Sequence, residues 1–114
     1  MENISLKMDL SSSTPDRTQL SGGFQVYPNH PNPFSSVTHI EYAISEAGIV
    51  SIRIYDALGR KLGEFIPGKQ PAGRYSREIR LGNYGSGIYY YTVEVKAVHS
   101  GYYYQKTNRM ILLK

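Results

Sequence analysis

The sequence predicts an all-β chain folded as an immunoglobulin-like antiparallel β-sandwich of six to seven strands, and three observations predict it. Short stretches alternate apolar and polar residues with a period of two, as in Val50-Ser51-Ile52-Arg53-Ile54. Turn-forming clusters separate these stretches at roughly regular spacing, and no stretch keeps a 3.6-residue apolar period over the length of an ordinary helix. Tyr occurs 11 times and Trp not at all, a bias that suits half-buried pleated surfaces. At 114 residues the chain is sized for one domain with a modest core.

Residues 1–23 are polar and include Ser11-Ser12-Ser13-Thr14-Pro15, a linker composition. Ile4, Leu6, Met8 and Leu10 alternate with polar residues, so a short N-terminal strand stands as the alternative. Residues 24–114 are expected to form the folded domain. Gln25-Val26-Tyr27 reads as a brief strand before Pro28-Asn29-His30-Pro31-Asn32-Pro33-Phe34. The prolines fix φ, remove donors and keep their predecessors extended, so this box should cross between sheets, with Phe34 plugging the core. Thr38–Ile44 should face Ile40, Tyr42 and Ile44 inward and His39 and Glu41 outward. Ser45-Glu46-Ala47-Gly48 then turns into the central hairpin.

That hairpin is the strongest local signal. Val50, Ile52 and Ile54 share one face, Asp56-Ala57-Leu58-Gly59 reverses the chain, and Lys61–Ile66 returns with Leu62 and Phe65 to pack. Asp suits the first position of a type I turn, and Gly59 suits the following residue with φ > 0. Pro67–Gly73 reads as a loop, Tyr75, Ile79 and Leu81 as an inward face broken by Arg77, and Gly82–Gly87 as a second loop. Ile88–Val98 is the longest strand, with Tyr89, Tyr91, Val93, Val95 and Ala97 on one side, and His99-Ser100-Gly101 turns it back. The last strand, Tyr102–Lys114, is mixed on both faces, which a bulge near Asn108 would explain.

Several functions are not expected. Without Cys there is no disulfide, thiol nucleophile or Cys-based zinc site. The net charge of +4 is dispersed, and Arg77 has the opposite strand parity to Arg74 and Arg80, so nucleic-acid binding is not expected. Met1-Glu2-Asn3-Ile4 lacks the basic start and apolar run of a signal peptide, and no apolar run approaches the ~20 residues of a membrane helix. Asn3-Ile4-Ser5 fits a glycosylation sequon, a pattern too common to carry weight. His30, His39 and His99 fall in a loop, on an outward face and in a turn, so no metal or other cofactor is expected. Gly85-Ser86-Gly87 is not a nucleophile elbow, and Asp56 is claimed by its turn, so no catalytic residue is assigned. The triplets Tyr89-Tyr90-Tyr91 and Tyr102-Tyr103-Tyr104 flank one hairpin. Cross-strand packing accounts for such rings, and a sugar-stacking or protein-binding row is the alternative.

Five pieces, in order, resemble the type A C-terminal sorting domains of the type IX secretion system, over about residues 24–114. They are the proline box Tyr27–Phe34 (with Tyr27, Pro28, Pro33 and Phe34), the turn Tyr55–Arg60 (with Asp56, Gly59 and Arg60), Pro71-Ala72-Gly73, the run Ser86–Tyr91 (with Gly87 and Tyr89), and Arg109-Met110-Ile111-Leu112-Leu113-Lys114. Two details depart from the family pattern: His30-Pro31-Asn32 lengthens the box, and Arg109 replaces the usual Lys while keeping its charge.

The resemblance implies a non-catalytic, folded secretion signal fused behind an N-terminal cargo. The cargo would cross the periplasm on its way to the cell surface or medium. Its partners would be the outer-membrane translocon and a sortase-like peptidase that exchanges the domain for a surface anchor. Residues 1–23 would then be a linker or the cargo's tail, and the chain one piece of a longer precursor. Arg109–Lys114 is the stretch expected to be recognised, by pairing at the strand edge and through either Met110 and Leu112 or Ile111 and Leu113. Two other readings stay open: an immunoglobulin-like assembly module that self-associates through a strand edge or its Tyr face, and a carbohydrate-binding sandwich.

Overall fold

The computed structural model describes residues 23–114, which form seven strands and no helix. These are β1 (Phe24–Val26), β2 (Val37–Ile44), β3 (Gly48–Tyr55), β4 (Lys61–Gln70), β5 (Gly73–Arg80), β6 (Gly87–Ala97) and β7 (Tyr103–Leu112). They build two antiparallel sheets, one ordered β1-β2-β5 and the other β4-β3-β6-β7. In a constant-type immunoglobulin domain the fourth strand extends the sheet of the first, second and fifth; here β4 pairs instead with β3, at the edge of the opposite sheet. The linker-or-strand expectation for residues 1–22 lies outside the described residues.

Alternation delivers the core as expected. Ile40, Tyr42, Ile44 and Ile79 of the small sheet, with Leu81 just after β5, meet Val50, Ile52, Ile54, Tyr89, Tyr91, Val93, Val95, Met110 and Leu112 of the large one, all buried. Phe34, 3% exposed, closes one end of this core. The proline box runs beside β2, through paired His30 and His39 main chains, and ends in a parallel bridge between Phe34 and Leu112. It therefore crosses from sheet to sheet as its prolines predict. Asn29, also buried, donates to the Pro31 carbonyl (3.2 Å) and the Thr38 hydroxyl (3.0 Å), and Thr38 in turn donates to Pro31 (2.8 Å).

The central turn has its expected chemistry. The Gly59 N–H donates to the Asp56 carbonyl at 3.0 Å, and Gly59 has φ 85°, a value that costs only glycine nothing. Asp56 Oδ1 accepts the N–H groups of Leu58 and Arg60, both at 2.9 Å, and Oδ2 accepts Arg60 Nε at 2.7 Å.

Two expectations are corrected. Pro67–Gln70 is not loop: β4 continues to Gln70 after a bulge in which Ile66 and Pro67 both stand opposite Ser51. Pro67 lies in an edge strand, where one side of the chain needs no ladder bond. A second shift leaves Leu62 as the extra residue between the Ile54–Gly63 and Tyr55–Lys61 pairs, and Leu62 and Phe65 both pack against the core despite their opposite parity.

The second correction concerns β7, which has no bulge at Asn108. Its register with β6 is unbroken from Gly87–Leu112 to Lys96–Tyr103. The even-numbered residues face inward, including two polar ones. Asn108 Nδ2 donates to the Tyr91 hydroxyl at 3.1 Å, and Lys106 opposite Val93 reaches out beside β1.

Each lateral opening between the sheets is closed by a pair. Phe24 stacks on Tyr104 at 5.5 Å between β1 and β7, and the Arg77 guanidinium lies 4.5 Å over the Phe65 ring between β5 and β4. Arg77 thus breaks the inward pattern of β5 because it caps an edge.

Candidate functional site

The five sequence pieces are not scattered over the fold. The end of the proline box, the Tyr55–Arg60 turn, the start of β6 and the end of β7 converge on one pole of the sandwich, while Pro71–Gly73 lies at the other, where β4 crosses to β5. At the shared pole the Asp56–Arg60 turn and the Tyr84–Tyr89 stretch line a cleft of about 300 Å³. The loop side of this cleft is held by Tyr89, whose hydroxyl donates to the Gly85 carbonyl at 2.7 Å. The Lys114 N–H donates to Ser86 Oγ at 2.9 Å, and Lys114 Nζ reaches the Gly82 carbonyl, which ties the last residue to the same loop.

Strand alternation splits each piece in two. Tyr89, Tyr91, Met110 and Leu112 go inward and are buried. Their neighbours go outward and line up by register across the large sheet, Tyr55 beside Tyr90 beside Arg109, then Ile88 beside Ile111. Leu113 follows, 57% exposed, with Ile88 40% and Leu58 81% exposed nearby. Of the six terminal residues, then, Met110 and Leu112 are core, while Arg109, Ile111 and Leu113 share one outer face.

The main chain of this stretch is already occupied. The Ile111 N–H donates to Asn32 Oδ1 (3.0 Å), the Phe34 N–H to the Ile111 carbonyl (3.0 Å), and the Leu113 N–H to the Phe34 carbonyl (2.8 Å). Asn32 was unreadable as a contact from sequence because Asn before Pro is an ordinary turn signal.

The remaining motif residues lie in the proline box and at two strand starts. Tyr27, beneath the Arg74 guanidinium at 4.3 Å, offers its carbonyl to the Tyr91 hydroxyl at 3.0 Å. Pro28 and Pro33 are exposed parts of the box, Gly73 starts β5 and Gly87 starts β6.

A charged belt crosses the same sheet behind the apolar rows. Arg53 bridges Glu64 (3.2 Å) and Glu94 (3.1 Å), Ser51 donates to Glu94 (3.0 Å), and Thr92 pairs with Thr107 (2.7 Å). The Tyr103 hydroxyl, then Arg53 and Ser51, hold the Glu94 carboxyl below the usual carboxylate range. The Arg60 N–H and guanidinium and the Leu58 N–H do the same for Asp56. Its lone pairs are therefore committed to the turn. Among the described residues no cluster of His, Asp or Glu is arranged to hold a metal.

A profile of the secretion system C-terminal sorting domain family matches residues 25–101, from β1 to the turn after β6. No curated protein matches the chain. The fold, the convergent pole and this match over most of the chain lead to one conclusion: the chain belongs to the secretion system C-terminal sorting domain family and is a sorting signal for type IX secretion, which carries protein to the cell surface or the medium.

Proposed function

We propose that the type IX outer-membrane translocon recognises this domain through the outer face at the convergent pole, formed by Tyr55, Ile88, Tyr90, Arg109, Ile111 and Leu113. One observation carries the reading: sequence pieces far apart in the chain place their outward halves side by side on one sheet face. Met110 and Leu112 then serve indirectly, by fixing the strand that presents Ile111 and Leu113. Recognition acts through side chains, since the neighbouring main chain is bonded to Asn32 and Phe34.

The polarity of the fold fits an N-terminal cargo. The chain enters at Gly23, whose carbonyl accepts the Ser45 N–H beside the far end of β2. The eight residues of β3 separate that end from the recognised face by roughly 25 Å, so a cargo hangs clear of it. The domain makes no covalent change itself. A sortase-like peptidase removes it after periplasmic transit by cutting before residue 24, or the cargo is released.

The test is export of a reporter carrying a periplasmic signal peptide and residues 1–114 at its C-terminus, in a bacterium with a type IX system and in its translocon mutant. Reporter reaching the surface or medium only in the competent strain supports the reading. Reporter trapped in both, with the domain folded, refutes it. Deleting Arg109–Lys114 would be a poor test because it takes Met110 and Leu112 from the core; Leu113→Asp alters the face alone and should abolish most export.

A further inference from the structure

The described arginines differ in one respect. Arg53 and Arg60 pair with Glu64, Glu94 and Asp56, Arg74 with Glu41, Arg80 with Glu78, and Arg77 lies on Phe65. Among the described residues Arg109 has no carboxylate or ring partner. It stands in the row with Tyr55 and Tyr90, next to Ile88 and Ile111. A guanidinium with no partner among the described residues, beside half-exposed apolar side chains, is a surface that matches a carboxylate set among apolar groups, since the planar fork binds a carboxylate through two parallel bonds and gains strength where water is excluded.

We propose that Arg109 docks on a carboxylate of a partner protein, with Tyr90, Ile88, Ile111 and Leu113 packing against apolar side chains around it. This rests on the sorting role proposed above and names the chemistry of the partner at that face. An anionic membrane is the poorer fit, because lipid-surface docking draws on clusters of about four to eight basic residues, whereas here Arg60 and Lys61 are already paired with Asp56 and Glu64. Lys114 is spent on the Gly82 carbonyl.

The experiment measures the initial export rate of the reporter fused to residues 1–114, wild type against Arg109→Glu, Arg109→Lys and Lys96→Glu. Lys96 is exposed on the same sheet face at the opposite pole, so its reversal makes the same charge change away from the site. The expected result is a loss of tenfold or more for Arg109→Glu, a loss of about two- to fivefold for Arg109→Lys, which keeps charge but not the fork, and little change for Lys96→Glu. All purified chains should melt within a few degrees of one another. Equal export of wild type and Arg109→Glu would overturn this proposal alone, as would an equal loss from Lys96→Glu. A wild-type reporter that stays inside the competent strain would overturn the sorting role and this proposal with it. Co-sedimentation of the wild-type chain, but not Arg109→Glu, with vesicles of equal phosphatidylcholine and phosphatidylglycerol would assign the face to lipid and overturn it too.

Discussion

Leu112→Ala and Leu113→Ala change the same side chain at adjacent positions and should have opposite consequences. Leu112 is fully buried, in the cluster that Phe34 closes, and Leu113 is 57% exposed. Truncating a buried leucine costs about 2–5 kcal/mol, depending on how far the surroundings collapse. Collapse is restricted here, because Phe34 is held by main-chain bonds to both Ile111 and Leu113. The cost of Leu112→Ala should therefore fall near about 3–4 kcal/mol, which for a domain of this size lowers Tm by about 15–25 °C. Leu113→Ala should cost about 0.5 kcal/mol or less. Urea unfolding of the full chain, followed by circular dichroism, separates the two if the m-value is unchanged. Export of the reporter should show the reverse of a stability ranking: Leu113→Ala is folded and poorly exported, and Leu112→Ala loses export only in proportion to its unfolded fraction. A cost for Leu112→Ala below about 1 kcal/mol, or equal costs for both, would refute the division of this strand into core and recognised halves.

Tyr91→Phe should cost about 1–3 kcal/mol in the same unfolding assay, because it strands the Tyr27 carbonyl and the Asn108 amide. Glu41, Asp56, Glu64 and Glu94 are all held below the usual carboxylate range, Glu94 first by the Tyr103 hydroxyl and then by Arg53 and Ser51, the others by the cations and N–H groups they meet. Folding therefore favours their charged forms. That stability is complete above the unfolded carboxylate pKa of about 4 and is lost as pH falls through the lower folded values. A thermal scan should show a flat Tm from neutrality to about pH 5 and a fall below it, with a shallower fall for Asp56→Asn. Arg77→Val with Lys106→Val removes both inward-pointing edge cations, and light scattering should detect dimers or larger species absent from the wild type; a strictly monomeric double variant would contradict the role given to these edges.

The strands were legible wherever one face is buried, because alternation is then enforced by the core. β2, β3 and β6 show this, down to which residues point inward. Edge strands were less legible, since only part of each must satisfy the core. In β4, Pro67 and Gly68 carry turn chemistry yet belong to a bulged strand. In β7, Lys106 and Asn108 obscured a regular inward face because one escapes sideways and the other is satisfied by Tyr91. The face proposed for recognition was half legible. Both alternations of the terminal run fit the sequence, and only the pairing with β6 assigns Met110 and Leu112 to the core. The link from Asn32 to Ile111 spans 79 residues and leaves no local pattern.

The edges also bear on how such a signal is recognised. β1 has three residues and runs into prolines, β5 presents Arg74, Glu78 and Arg80 and turns Arg77 inward, and β4 is bent by two bulges. Along β7 the outer main chain near Ile111 is taken by the proline box, and the stretch before it carries the inward Lys106. Short edges, charges, inward cations and bulges are the devices that keep β-proteins from adding strands. A partner that bound by strand addition would have to displace one of them. A partner that meets side chains needs no opening of the ladder, so edges built to disfavour strand addition leave the outer face available. The recognition by a sheet face proposed above and the blocking of strand addition share one arrangement of strands.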